Sequence, residues 1–288
     1  MNILVTGGAG FVGTNLIKKL LQQGYTVASI DNYSTGLKSN HQQGCIYYEY
    51  DIRTINDYSA FGKFDIVYHL AAIARIQPSF DNPVESFISN SLATFRLAHY
   101  CAINNIPLIY AGTSSHHSGK FKNPYTFTKD IGEDAITLFQ ENYNLKSSIA
   151  RFYNVYGPYE NEKGKMASVA YQMMLKNKNN EKIMLFPNKP TRDFVYVKDV
   201  VSANIYAYEN YDKLKSFYYE VGSGESRLFE DVLNILEIPF SYHDEFEIPF
   251  GYQFYTKSEP LNWMDGWEPK YNLEKGLKEY KEWINQKS

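Results

Sequence analysis

Two residues with complementary proton chemistry, Tyr125 and Lys129, stand four positions apart in the chain. On a helix this spacing places both side chains on one face. A lysine ammonium stabilises a nearby phenolate and lowers the pKa of the tyrosine, which makes the tyrosine a proton acceptor near neutral pH. Thr113 ends a predicted strand upstream, where its hydroxyl can hydrogen-bond the same substrate oxygen. The three residues predict acid–base catalysis on a hydroxyl or carbonyl group.

A glycine-rich turn supports the prediction made from Tyr125 and Lys129. Without it the spacing would be weak evidence, because a chain with 26 tyrosines contains such pairs by chance. Residues 6–13, TGGAGFVG, follow a short apolar strand and open a helix, the context in which dinucleotides bind. Gly7 allows the tight turn, Gly10 lets the backbone approach a pyrophosphate, and Gly13 lets helix and strand pack closely. The predicted cofactor-binding residues of this turn are Gly7, Gly10, Phe11, Val12 and Gly13.

Acidic residues end the second and third predicted strands. Asp31, followed by Asn32, is predicted to bind the hydroxyls of an adenosine ribose. Its charge repels a 2′-phosphate and therefore favours NAD, but Lys38 is close enough in sequence to neutralise such a phosphate, so NADP stays an alternative. Asp51, with Ile52 beside it, either meets the adenine or caps the end of the third strand.

These groups need a sheet whose strand ends meet at one edge. Six predicted strands alternate with helical segments in the first half, which indicates right-handed βαβ units and a parallel sheet covered on both faces. The strands are predicted at 2–6, 25–30, 45–51, 64–72, 107–113 and 147–153, and the longer helices at 84–104 and 125–143. The predicted fold class is α/β, with a Rossmann-type doubly wound sheet.

The chain changes character after Gly157-Pro158, where segments become shorter and more aromatic. We predict an NAD(P)-binding domain over 1–157 and a smaller α/β substrate lobe over most of 158–288, with strands from about 192–222 returning to the main sheet. Within the second half, the predicted helices are 167–176 and 273–284, and the predicted strands are 182–186, 193–197 and 217–221.

Composition excludes several classes of function. The 288 residues carry a net charge of −3, which does not fit the basic surface of a nucleic-acid-binding protein. No apolar stretch approaches the length of a membrane span. Two cysteines and the absence of a leader pattern fit a cytoplasmic protein. We expect no metal site, because the sequence places no third ligand beside His116 and His117.

Motifs spread over nearly the whole chain resemble those of one enzyme group. They are TGGAGFVG, IDNYSTG, DI at 51–52, VYHLAA, NPYTFTK, ARFYNVYGP, RDFVYVKD, VGSG and GWEP. The chain thereby resembles the extended short-chain dehydrogenase/reductases of the nucleotide-sugar epimerase/dehydratase group. The resemblance implies a Thr113–Tyr125–Lys129 triad, a nucleotide-sugar substrate, and a tightly held NAD(P) that is reduced and reoxidised within one turnover. It also implies a homodimer formed by the helices at 84–104 and 125–143.

The same resemblance implies further site residues. Those implied to contact the cofactor are Leu70, Ala71, Ala72, Asn90, Tyr153 and Val155. Those implied to contact the substrate are Ala74, Thr113, Ser114, Asn154, Lys165, Phe186, Asn188, Arg192 and Tyr252, with Arg192 as the clamp on the diphosphate.

Two branches of the group compete for the substrate. The segments 163–169 and 250–256 resemble ADP-L-glycero-D-manno-heptose 6-epimerase, in which the lysine matching Lys163 is a second catalytic base. The segment 72–79 is more similar to UDP-hexose 4-epimerases, and the stretch from His116 to Gly119 departs from the usual Tyr-Gly. The resemblance therefore implies an epimerase and leaves both sugars open.

Three other functions are weighed against an epimerase. Dehydration is disfavoured because Thr113-Ser114-Ser115 lacks the acidic residue that expels water in 4,6-dehydratases. A one-way sugar reductase or oxidase uses the same triad and stays an alternative. A non-catalytic NAD-binding sensor is disfavoured because both Tyr125 and Lys129 are present.

Overall fold

The computed structural model describes residues 1–160, 164, 167–214, 217–245, 247 and 252–287. Its strands are β1 Asn2–Thr6, β2 Thr26–Asp31, β3 Cys45–Glu49, β4 Ile66–His69, β5 Leu108–Thr113, β6 Ser147–Phe152, β7 Asn154–Tyr156, β8 Met184–Leu185, β9 Thr191–Arg192, β10 Phe194–Tyr196, β11 Tyr218–Val221, β12 Arg227–Leu228 and β13 Ser241–Tyr242. Its helices are α1 Phe11–Gln22, α2 Ile76–Asp81, α3 Pro83–Phe87, α4 Ala93–Ile103, α5 Pro124–Tyr143, α6 Val169–Lys178, α7 Val197–Glu209, α8 Phe229–Leu236 and α9 Leu273–Lys287.

A seven-stranded sheet with the order β11-β6-β5-β4-β1-β2-β3 forms the centre of the molecule. All of its strand pairs are parallel, so the carboxyl ends of the strands meet at one edge. The chain order reverses between β1 and β4, which is the crevice where open α/β sheets bind their ligands. The predicted α/β fold with a doubly wound parallel sheet is confirmed.

Helices cover both faces of this sheet, as near-continuous apolar strands require. On one face, α1 and α7 pack over a core that includes Leu16, Ile17 and Val200. On the other face, α4 and α5 pack over a core that includes Leu97, Ile136 and Phe139.

The start of α5 is determined by local sequence. The Asn123 side chain accepts a hydrogen bond from the backbone N–H of Thr126 at 2.8 Å, and Pro124 takes the first helical position. The helix ends where Asn144 adopts a left-handed conformation, with φ 56°. Tyr125 therefore lies in the first turn, at the carboxyl edge of the sheet.

The helix predicted at 84–104 is not continuous. It consists of α3, a π-helical turn at Ile88–Leu92, and α4. The short helix α2 precedes it and was not predicted; it ends at Asp81 because a residue before a proline, here Asn82 before Pro83, disfavours helical geometry. Helices α7 and α8 were also absent from the prediction.

Part of the second half of the chain lies outside the main sheet. Helices α8 and α9 pack together, and short ladders pair β10 with β7, β12 with β9, and β13 with β8. Of the segment expected to return to the main sheet, β11 does so by pairing with β6, whereas β9 and β10 join the small ladders. Among the described residues, no helix combines the length and apolar character needed to cross a membrane.

Candidate active site

A cavity of about 980 Å³ opens at the carboxyl edge of the sheet, between the sheet and the second half of the chain. It is continuous from the glycine turn after β1 to Arg192 in β9, and Tyr125 lines it between them. The volume fits a cofactor and a substrate lying side by side.

Most of the predicted site residues line this one cavity. The predicted residues found there are Gly7, Gly10, Phe11, Val12, Gly13, Asp31, Asn32, Asp51, Ile52, Leu70, Ala71, Ala72, Ala74, Thr113, Ser114, Tyr125, Lys129, Tyr153, Asn154, Val155, Phe186, Arg192 and Tyr252.

The structure places three predicted residues elsewhere. Lys38 is exposed and pairs with Glu49 at 2.7 Å. Asn90 is buried, where its side chain holds the backbone of Ile73 through hydrogen bonds of 2.8 and 3.0 Å. Asn188 lies on an exposed turn outside the cavity. Lys163 and Lys165 lie outside the described residues.

The glycine turn is built for close approach of a ligand. Gly7 has φ +73°, and a Cβ there would lie 2.8 Å from the backbone nitrogen of Ala71. At Gly13 a Cβ would lie 2.2 Å from the Gly7 carbonyl oxygen, so only glycine lets α1 begin so close to the turn. Gly10 is the N-cap of α1, whose first N–H groups form an anion site. This cradle fits the pyrophosphate of a dinucleotide.

Asp31 is held rigidly at the end of β2. Its two carboxylate oxygens accept hydrogen bonds from the backbone N–H groups of Ala9 at 2.9 Å and Tyr33 at 2.8 Å. Burial raises the pKa of this carboxyl, and the backbone hydrogen bonds oppose that shift. A carboxylate has about four lone-pair sites, so acceptor capacity remains for a ribose hydroxyl beside the backbone hydrogen bonds.

The cations near this end of the cavity are already paired. Arg53 contacts Asp51 at 2.5 Å and also contacts Glu85, and its hydrogen bonds to Asp51 lower the pKa of that carboxyl to about 2. Lys38 pairs with Glu49 on the surface, and its predicted role as a phosphate partner stays a prediction.

Thr113 and Tyr125 meet at the end of β5, where their side chains are hydrogen-bonded to each other. The lowered pKa expected for Tyr125 is not found in this structure. Burial raises the pKa of Tyr125, and the opposing effects come from the Thr113 hydrogen bond and the charge of Arg75. Desolvation of the phenolate therefore outweighs its stabilisation by these groups.

Lys129 follows Tyr125 by one turn of α5 and lies in a buried, partly aromatic setting. Its ammonium sits 4.0 Å from the ring centroid of Tyr110. Burial lowers the pKa of Lys129 to about 7, while the charges of Glu133 and Asp130 raise it. Glu133 is itself paired with Arg151 at 2.6 Å.

The far end of the cavity carries Arg192 among aromatic rings. Its guanidinium lies 5.0 Å from the ring centroid of Tyr252 and 5.6 Å from that of Phe229. One N–H group donates to the backbone carbonyl of Thr191 at 2.9 Å. Phe186 packs edge-on against Tyr252, with ring centroids 5.6 Å apart. The remaining N–H groups of Arg192 suit a planar anion.

The sequence matches the family described as "NAD dependent epimerase/dehydratase family" over residues 3–222. The chain belongs to this family. It is 28% identical to a putative UDP-glucose 4-epimerase of Methanocaldococcus jannaschii, and the match covers 98% of each chain.

Solved structures of this family superpose over almost the whole chain. UDP-glucose 4-epimerase of Thermotoga maritima with UDP-glucose has a TM-score of 0.87 and 27% identity, covering 100% of this chain and 99% of that one. ADP-L-glycero-D-manno-heptose-6-epimerase of Helicobacter pylori has a TM-score of 0.82 and 25% identity, covering 99% and 96%. The predicted membership of the nucleotide-sugar epimerase/dehydratase group is confirmed.

This family member carries cavity residues that the sequence analysis missed. Ser168, Gln172 and Lys176 line the cavity from α6, at the four-residue spacing that puts side chains on one helix face. That spacing was available in the sequence as a signal. Arg75 also lines the cavity, and it stands in a loop where no spacing rule could have revealed it.

His116 and His117 are not among the residues that line the cavity, and each contacts a carboxylate. His116 is 3.1 Å from a carboxylate oxygen of Asp130, and His117 is 2.9 Å from Glu220 and stacks against Tyr153. The sequence placed no third metal-ligand candidate beside the histidines. In the structure, Asp130 and Glu133 bring ligand-type atoms within 4.8 Å of His116. Arg151 and Lys129 balance the charge of these carboxylates, so the arrangement is explained as a buried ion-pair network.

Proposed function

We propose that the protein is an NAD-dependent nucleotide-sugar 4-epimerase that acts on a UDP-hexose or a close relative of one. One observation carries this proposal: the glycine turn, the Thr113–Tyr125 pair and Arg192 line a single cavity in a member of this family. The UDP-glucose 4-epimerases named among its relatives support C4 as the sugar carbon that is inverted.

The cofactor is proposed to lie along the glycine turn, with Asp31 on its adenosine ribose. Held there, NAD would supply a reversible acceptor for the hydride of the sugar carbon. We favour NAD over NADP because Asp31 is fixed at the ribose position, and Lys38 and Arg53 are engaged with carboxylates. Dissociation constants for the two cofactors test this choice, and tighter binding of NADP would refute it.

The chain's own residues handle the proton. Tyr125 takes the proton of the sugar hydroxyl and gives it back to the ketone oxygen, and Thr113 orients that oxygen through its hydroxyl. Lys129, one turn further along the same helix, is proposed to supply a positive charge that favours the phenolate.

The substrate is proposed to lie towards the second half of the chain. Arg192 binds its diphosphate in two parallel hydrogen bonds, while Tyr252 and Phe186 flank it. The polar face of α6, formed by Ser168, Gln172 and Lys176, is positioned for the nucleotide.

A heptose 6-epimerase is the second candidate. The segment 163–169 resembles that branch, and the Helicobacter pylori enzyme shares the fold over almost the whole chain. That reaction needs a second base, for which Lys163 is the candidate. Lys163→Met would block inversion in a heptose epimerase and leave turnover of a 4-epimerase near that of the wild type.

Incubation with a panel of UDP-, GDP- and ADP-sugars, resolved by NMR, tests the proposal. We expect inversion of a UDP-hexose without added cofactor. Tyr125→Phe should lower turnover by about 10²–10⁴-fold, the range for loss of general acid–base catalysis, while cofactor stays bound. A strict requirement for added NAD(H), with net oxidation or reduction of the sugar, would instead identify a one-way oxidoreductase.

A further inference from the structure

Arg75 is a cavity residue without a role in the proposed reaction. It lies between β4 and α2, next to Ala74, and its side chain opens onto the cavity. The backbone N–H of Tyr125 donates to the Ser79 hydroxyl at 2.9 Å, which fastens α2 to the start of α5. That hydroxyl donates in turn to the Ile76 carbonyl at 2.6 Å. The loop of Arg75 is therefore held beside Tyr125.

The guanidinium of Arg75 has no hydrogen bond or ion pair with any residue that the structure describes. Other arginines in the chain differ in this respect. Arg53, Arg151 and Arg227 contact carboxylates at 2.5, 2.6 and 2.8 Å respectively. A guanidinium carries five N–H donors, and those of Arg75 face the cavity without an acceptor among the described residues.

The negative charge of Glu160 acts on Arg75, but the Glu160 carboxylate is hydrogen-bonded to other groups. It is only 1% exposed. Its oxygens accept hydrogen bonds from the backbone N–H of Gly157 at 3.1 Å and from the N–H and hydroxyl of Ser168 at 2.5 and 2.6 Å. Glu160 therefore balances charge at a distance without occupying the donors of Arg75.

Arg75 lines the same cavity as Tyr125, and the loop that carries it is tied to the start of α5. The charge of Arg75 lowers the pKa of Tyr125, in keeping with this placement. The two other anion sites lie elsewhere, at the N-terminus of α1 for the cofactor and at Arg192 for the substrate diphosphate. Arg75 is thus a further cation in the part of the cavity proposed for the sugar, where a neutral hexose offers it no anionic partner.

We propose that Arg75 binds a carboxylate on the sugar, so that the substrate class is a nucleotide-linked acidic sugar of the hexuronic acid type. This inference rests on the proposed 4-epimerase function. In a hexuronate the carboxylate is attached to C5, the neighbour of the reacting carbon C4. When Tyr125 holds the C4 oxygen, the carboxylate is within reach of a residue beside Tyr125. A guanidinium binds such a group through two parallel N–H···O hydrogen bonds.

The test compares two substrates that differ only at C6, UDP-glucuronate and UDP-glucose. We expect wild-type protein to epimerise UDP-glucuronate with a kcat/KM at least about 10-fold higher, the discrimination given by one charge-assisted hydrogen bond. Arg75→Gln should lower kcat/KM for UDP-glucuronate by about 10–100-fold, mainly through KM, on the same basis. For UDP-glucose the change should stay small. Arg75→Lys should rescue part of the loss, because it keeps the charge without the planar fork.

Lys146→Gln is the matched control, since Lys146 is an exposed lysine that pairs with Asp212 at 3.4 Å outside the cavity. Retention of bound cofactor checks that each variant is folded. Equal losses of kcat/KM for both substrates would overturn the inference, because Arg75 would then act through Tyr125 or the diphosphate. Turnover of neutral nucleotide sugars alone would overturn it and leave the proposed function intact. Failure to epimerise any nucleotide sugar would refute both.

Discussion

Two buried carboxylates stand close to Tyr125 and Lys129 in the sequence of α5. Asp130 and Glu133 follow on the same helix, and both are nearly fully buried, with 3% and 2% of their surfaces exposed. One oxygen of each has no hydrogen-bond partner among the described residues. Their negative charge raises the pKa of both Tyr125 and Lys129, so these carboxylates tune the proton chemistry of the site.

Replacement of Asp130 by Asn should move the pH profile of the reaction. A negative neighbour stabilises the protonated forms of Tyr125 and Lys129 alike, so its removal lowers both pKa values. Both limbs of the plot of kcat/KM against pH should therefore shift to lower pH. Asp134→Asn, which removes an exposed carboxylate from the same helix, should leave the profile unchanged. A shift to higher pH, or an equal shift in both variants, would contradict this tuning.

At the scale of elements, the glycine turn and α1 act as one unit. A Cβ at Gly13 would lie 2.2 Å from the Gly7 carbonyl oxygen and 2.7 Å from the Cα of Gly8. Gly13→Ala should therefore push α1 away from the turn and lower the free energy of unfolding by about 1–3 kcal/mol, the usual cost of overpacking. NAD binding should weaken as well.

Lys19→Ala is the control for this variant, because Lys19 lies on the exposed face of α1. Chemical denaturation and NAD titration measure both effects. If Gly13→Ala binds NAD as tightly as the wild type, the helix does not need to begin against the turn.

The sequence predicts the elements that follow one clear period and misses those set by tertiary contacts. The sheet strands and α5 have strong patterns and appear within a few residues of their predicted ends, apart from β4. At β4 the predicted strand 64–72 shortens to 66–69, since the backbone N–H of Ala71 turns to the Thr6 hydroxyl at 3.2 Å. The π-helical turn at Ile88–Leu92 adds a residue to the helix, and the hydrophobic periodicity of the sequence does not predict it.

The residues of the candidate site also fall into those placed by a regular element and those placed by tertiary contacts. Residues tied to a strand end or to the glycine turn, such as Asp31 and Thr113, could be predicted because parallel strands bring their ends together. Arg75 could not, because its place depends on the hydrogen bond between Ser79 and Tyr125. Lys38 was predicted from its nearness in sequence; it pairs with Glu49 on the surface, and its role toward a cofactor stays a prediction.

For the whole molecule, the apolar residues of α4 and α5 divide between two faces. Leu97, Ile136 and Phe139 are buried against the sheet. Phe95 and Leu138, together with Phe87 of α3, keep 41%, 45% and 42% of their surfaces exposed. An apolar face of this kind on a long helix pair indicates an interface, and we propose that a second copy of the chain covers it.

Light scattering at micromolar concentration should then give about twice the chain mass of 33.3 kDa. Phe95→Glu should reduce the mass to that of one chain, because burial of the new charge in the interface is unfavourable. Leu261→Glu is the control, as Leu261 is 97% exposed and lies outside α4 and α5. Detection of a 33.3 kDa species alone in the wild type would contradict the dimer.

The central claim is that this chain oxidises a sugar carbon transiently and returns the same hydride within one turnover. UDP-hexose or UDP-hexuronate labelled with deuterium at C4 tests it directly, with purified protein and no added cofactor. The account predicts an inverted product that keeps its deuterium at C4, while Tyr125→Phe forms almost none. Loss of the label to water, or its transfer to a cofactor that leaves the protein, would contradict the account.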